Sequence, residues 1–108
     1  MGITKKTGFS EETIEMSEIL KAFGHPARLE IVKFLINSPT CICGDIVEFL
    51  PLSQSTVSKH LSELKKAGII KGTISGNCIC YCLNENTIKK LQGFITILQT
   101  NSTFSECC

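Results

Sequence analysis

Seven of the 108 residues are cysteines, at positions 41, 43, 78, 80, 82, 107 and 108. They fall into three groups: Cys41-Ile-Cys43, the alternating run Cys78-Ile-Cys80-Tyr-Cys82, and the terminal pair Cys107-Cys108. Thiolates are strong ligands for soft metals and are also the nucleophiles of redox chemistry. The first ten residues are polar and lack the apolar stretch of a secretory leader. A reducing, cytoplasmic setting is therefore expected, and with it no disulfide framework. The odd count argues the same way. The chemistry these residues suit is capture of a soft ion or reversible thiol oxidation. A catalytic cysteine would need a neighbouring base. Only His25 and His60 are available, and neither is expected beside the thiol-rich run, so no enzyme is expected.

These thiols need elements to position them. The length suits a single domain. Hydrophobic residues make up 43% and charged residues 19%, enough for one core and too apolar for disorder. No apolar run approaches the ~20 residues of a membrane span, so no membrane partner is expected. Residues 1–10 read as a flexible tail. Ser10 caps a helix that opens on Glu11 and Glu12 and carries Met16, Ile19, Leu20 and Phe23 at helical spacing. Gly24 ends it, and Pro26 starts a second, largely apolar helix that Asn37-Ser38-Pro39 stops. Residues 40–43 suggest a strand fragment, and 44–50 a short helix. After the turn at Pro51-Leu52, Ser53 caps a helix from Gln54 to Ala67, with Gly68 as its stop.

Two β-rich runs, 69–75 and 77–83, flank Gly76 as a hairpin. In the second, Ile79, Tyr81 and Leu83 alternate with Cys78, Cys80 and Cys82, so one face is apolar and the other is thiol. Asn84 caps a last helix, from Glu85 to about Gln99, with Ile88, Leu91, Ile95 and Leu98 on one face. Residues 100–108 read as a second flexible tail. The expected fold is thus mainly α with a small β-hairpin. Its order is helix, helix, short strand, helix, helix, strand, strand, helix: a winged helix-turn-helix domain over 11–99.

Within it, residues 44–67 have helix-turn-helix proportions. Val57, Leu61 and Leu64 form the inward stripe of the second helix. Gln54, Ser55, Ser58, Lys59 and Ser62 face outward, and Thr56 lies between the faces. Glutamine can pair bidentately with adenine, serine with base edges or phosphate, and Lys59 with phosphate or guanine. Serine is a mediocre helix former, so an ordinary surface helix would rather use Glu, Lys or Ala. The net charge is only +1, yet Lys59, Lys65, Lys66 and Lys71 cluster with only Glu63 opposing them. His60 borders the buried stripe and reads as a packed, hydrogen-bonded residue. A protein-only interaction module is the competing use of such a fold, and the polar, serine-rich helix disfavours it.

The run Leu52-Ser-Gln-Ser-Thr-Val-Ser-Lys-His-Leu61 resembles the recognition helix of the ArsR/SmtB family of metal-responsive repressors. The run Leu20-Lys-Ala-Phe-Gly-His-Pro-Ala-Arg-Leu-Glu-Ile31 resembles the start of the second helix in that family, and Tyr81-Cys-Leu-Asn84 resembles the end of its wing. The resemblance spans residues 20–84. It implies a homodimer through the first and last helices. It also implies repression at an inverted-repeat operator in double-stranded DNA, and release when an inducer binds. It places Gln54, Ser55, Ser58 and Lys59 in the major groove and the wing tip around Gly76 near the backbone. Thr56, Ser62 and Lys65 complete the expected DNA contacts.

The sensor needs its own argument. One family site uses Asp and His on the last helix, and neither residue occurs between Glu85 and Cys108. Another uses Cys-x-Cys before the third helix. Cys41-Ile-Cys43 occupies that region, but Gly44 separates Cys43 from Asp45, and Val47 stands where the arsenic-responsive type can carry a third cysteine. In winged-helix folds the strand before the third helix commonly pairs with the returning wing strand, and facing Cβ atoms then lie ~4.5–5.5 Å apart. Cys41 and Cys43 with Cys80 or Cys82 would supply the three thiolates that trivalent arsenic needs, provided both strands present them on one face. Cys78, Cys107 and Cys108 are further candidates. The expected inducer is As(III) or Sb(III), with Cd(II) or Zn(II) as other soft or borderline ions. The competing readings are a thiol redox or persulfide sensor on the same fold, and a structural zinc site with four thiolates.

Overall fold

The helix boundaries follow from their caps. The computed structural model describes residues 8–37, 42–43, 50–75 and 78–101. The first helix, α1 (Glu11–Phe23), starts where the Ser10 hydroxyl accepts from the Thr13 N–H. The second, α2 (Pro26–Ile36), has proline at its first position, and the His25 ring caps it by accepting from the Ala27 N–H at 3.0 Å. A short strand, β1 (Ile42–Cys43), precedes α3 (Gln54–Lys66), whose N-cap is Ser53. Strands β2 (Ile70–Ser75) and β3 (Cys78–Leu83) lead to α4 (Glu85–Asn101). Of the helix expected over 44–50, residues 44–49 lie outside the described residues. The last helix runs two residues beyond the expected Gln99.

The end of α3 shows how local sequence sets the wing. The Gly68 N–H donates to the Lys65 carbonyl, and the Ile69 N–H to the Leu64 carbonyl, both at 3.0 Å. This is a Schellman closure, with Gly68 in the left-handed region at φ 80°. Its apolar partners, Leu64 and Ile69, are both fully buried. The chain therefore leaves α3 pinned to the core and enters β2 at once. A Cβ at Gly68 would meet the Thr87 hydroxyl at 3.3 Å. That hydroxyl already donates to the Gly68 carbonyl. Gly68→Ala is expected to destabilise by about 1–2 kcal/mol, the penalty of a left-handed L-residue. Urea unfolding checks this, and an unchanged midpoint would refute it.

The strands form one antiparallel sheet in the order β1-β3-β2. Tyr81 and Leu83 lie against the core, and Ile70, paired with Leu83, is buried. The core itself is Ile19 and Ala22 of α1, Ile31, Val32 and Leu35 of α2, Val57, Leu61 and Leu64 of α3, and Leu50, Ile69 and Ile70. Although α2 is central as its composition suggested, Leu29 and Ile36 on it are exposed. On α4, Ile95 and Leu98 of the expected apolar face are also exposed, as is Ile97. Among the described residues no helix is long and apolar enough to cross a membrane.

Candidate functional site

Two regions carry the candidate chemistry. The first is the outer face of α3. Val57 and Leu64 are fully buried and Leu61 nearly so, which turns Gln54, Ser55, Thr56, Ser58, Lys59, Ser62 and Lys65 outward, all exposed. The start of this helix carries a cluster of hydroxyl hydrogen bonds. Ser53 Oγ accepts from the Thr56 N–H and donates to Thr56 Oγ1 at 2.9 Å. Ser55 Oγ lies 3.3 Å from Ser53 Oγ. Thr56 therefore keeps its own hydroxyl proton, held in place and free to donate to an incoming oxygen. Lys65 and Lys66 sit in the last turn, where the helix dipole favours cations. Gly76, the expected wing-tip contact, lies outside the described residues.

The second region is the sheet face turned away from the core. Position 43 pairs directly with position 80, and position 42 with position 81. Opposed positions of an antiparallel pair share a face. Cys43 and Cys80 are therefore directly opposed positions of the two strands, and Cys82 shares a strand face with Cys80. On the other flank, Thr73 pairs with Cys80, Lys71 with Cys82, and Ser75 with Cys78. Cys80 and Cys82 are half-buried free thiols. Two residues apart on an extended strand, their Cα atoms stand about 7 Å apart, beyond easy disulfide reach. Cys41, Cys107 and Cys108 lie outside the described residues. Among the described residues, no three His, Cys, Asp or Glu side chains converge as metal ligands.

His60 packs into the fold, whereas His25 is exposed and caps α2. His60 is buried and accepts at Nδ1 from Arg28 Nε at 3.1 Å. Burial holds it below its ordinary pKa, helped by His25, Arg28 and Lys59. Arg28 also donates to the Ala22 carbonyl at the end of α1. The sequence reading had no place for Arg28; the available signal was a lone arginine in an apolar helix.

Comparison with known proteins gives consistent likenesses. Residues 25–71 match the family described as bacterial regulatory protein, arsR family. The chain is 40% identical over 82 residues to an uncharacterised HTH-type transcriptional regulator of Methanocaldococcus jannaschii, covering 75% of this chain and 91% of that protein. It is 31% identical over 93 residues to an arsenical resistance operon repressor of Staphylococcus xylosus, covering 86% and 88%. The solved structure of HlyU from Vibrio cholerae superposes with a TM-score of 0.66 at 24% identity, over 83% of this chain and 97% of that one. That likeness speaks to the fold alone.

Proposed function

The chain belongs to the arsR family of bacterial regulatory proteins, the ArsR/SmtB winged-helix regulators, and on that premise we propose a repressor that leaves its operator when wing thiolates capture As(III) or Sb(III). Membership in a family of transcriptional regulators makes the chain a regulator and not an enzyme. The observation that carries the ligand reading is the register of β1 on β3, which sets Cys43 opposite Cys80 with Cys82 alongside. Three soft donors suit trigonal As(III); a closed zinc site would need a fourth. Cys41, from the same segment as Cys43, is the remaining donor within reach of that argument.

The acting protein in this reading is a cytoplasmic homodimer on an inverted repeat. A groove of about 630 Å³ between α1 and α4 supports the dimer; its lining includes Met16, Leu20, Phe94 and Ile97. Leu20, Ile95, Ile97 and Leu98 are exposed there or nearby on the same helices, and a second copy would cover them. Each protomer lays α3 in the major groove. Ligation then draws β1 against β3. Because β1 leads into the helix-turn-helix, the strain changes the spacing of the two reading heads.

One observation also favours a redox reading. Cys43 and Cys80 are paired positions of an antiparallel ladder, and such pairs have Cα atoms about 4.5–5.5 Å apart, within what a disulfide spans. A hydroperoxide would take two electrons and two protons from the pair, leaving a disulfide, an alcohol and water.

The test is operator binding by fluorescence anisotropy with DNA from the protein's own promoter. Reduced protein is titrated with arsenite, Zn(II), or an oxidant such as a polysulfide or hydroperoxide donor. Release by near-stoichiometric arsenite alone supports the metalloid reading. Release by oxidant alone overturns it in favour of the disulfide. Gln54→Ala is expected to weaken operator binding by about 1–3 kcal/mol, the worth of one bidentate base contact. Equal losses on operator and random DNA would contradict that role.

A further inference from the structure

We infer that Arg28 and His60 act as a positioning pair for DNA reading, in which the Arg28 Nε–H bond to His60 Nδ1 fixes the seat of α3 on α2 and so makes operator affinity depend on a neutral His60. The inference rests on the operator-binding reading of α3.

The geometry is specific. Arg28 shares a cleft with Glu15, Glu18 and Glu63, yet no ion pair among the described residues includes it. Its Nε instead meets an imidazole 32 positions away in the chain. Because Nδ1 accepts, the ring proton must sit on Nε2, which defines one neutral tautomer. Arg28 Nη1 reaches the Ala22 carbonyl at 3.4 Å. One side chain thus joins the end of α1, the first turn of α2 and the middle of α3. The His25 ring lies beside the His60 ring, with centroids 4.4 Å apart. Its own Nδ1 is committed to the Ala27 N–H.

The groups facing His60 are mostly cationic or become so on protonation. They are His25, the cap of α2, Arg28 of α2 and Lys59 of α3. Glu63 follows one turn later on α3, and Lys21 of α1 lines the cleft shared with Arg28. A proton on His60 Nδ1 would point an N–H at the Arg28 N–H and replace an attraction by a repulsion. Lys59, next in sequence, is exposed on the reading face, so a shift of His60 moves a DNA contact directly. Because burial and the neighbouring cations favour the neutral form in the fold, the bond persists below the ordinary imidazole pKa of 6.5 and is lost where pH falls through the lowered pKa of folded His60.

The test compares wild type with H60N, H60L, R28M and the R28M/H60L double variant. Operator anisotropy is measured from pH 4.5 to 8, with circular dichroism at each pH to confirm folding. Asparagine puts an amide oxygen near the place of Nδ1 and does not titrate. Wild type should lose affinity about 10-fold in acid, the loss expected of one hydrogen bond to a charged donor. H60L and R28M should be about 10-fold weaker at pH 7.5, with the double variant no worse than either. H60N should recover most of what H60L loses, with a flat pH profile. R28M should keep the wild-type salt slope, since loss of a phosphate contact would reduce it. Imidazole ¹⁵N shifts of the free protein supply a readout independent of DNA: Nδ1 without a proton at pH 7.5 supports the pair, and the opposite tautomer overturns it. Binding with a flat wild-type profile, or an H60N profile as steep as wild type, also overturns it. Failure of wild type to bind operator at any pH overturns the operator reading itself.

Discussion

Cys80→Ser is expected to leave operator binding intact while raising the arsenite needed for half-release about 100-fold or more. Loss of a mere outer partner of a metal ligand costs 10–100-fold, and a direct ligand should cost at least as much. Cys80 is the position with most at stake, because it pairs with Cys43 on one side and has Cys82 next on its own strand face. Serine is nearly isosteric, but its hydroxyl does not replace a thiolate toward a soft centre. The fold should barely notice. Cys80 is half-buried on the face away from Tyr81 and Leu83, which pack on the core. Surface changes of this kind stay within about 0.5 kcal/mol. Cys43→Ser should behave alike. If both variants respond to arsenite as wild type does, and a Cys107→Ser/Cys108→Ser variant does not, the sensor lies in the C-terminal pair and the sheet-face site is wrong.

The parts of this architecture that were legible in the sequence are those written in local pattern. Ser10 and Ser53 announced helix starts, and the Gly68 stop follows from a left-handed φ that other residues resist. The thiol face followed from a period of two in β3. Which residue of β3 stands opposite Cys43 did not follow from any local pattern, since a one-residue slip would change the pairing; the register pairs it with Cys80. The Arg28–His60 bond had no local signature either, because a contact between distant helices leaves no periodicity. The Ser53 hydroxyl was read as a cap, but its hold on Thr56 Oγ1 depends on rotamers that composition does not specify. Leu20 and Leu98 were read as parts of apolar helix faces; both are exposed in one chain, as is Ile97.

Leu64→Ala should destabilise the protein by about 2–5 kcal/mol, the range for a buried leucine truncated in a well-packed core. The position concentrates several constraints. Its side chain is fully buried. Its carbonyl closes α3 by accepting from Ile69, and the apolar contact between Leu64 and Ile69 accompanies that closure. A cavity here therefore loosens the joint between the reading helix and the wing, beyond the loss of area. Set against the roughly 5–15 kcal/mol available to a small domain, the change should bring the chain near unfolding at growth temperature. Urea denaturation at fixed protein concentration reads it as a lower midpoint with an unchanged slope. Ser62→Ala on the opposite face of the same helix is the control, and should stay within about 0.5 kcal/mol while touching a proposed DNA contact. A Leu64→Ala loss below about 1 kcal/mol would mean that α3 is not seated on this core.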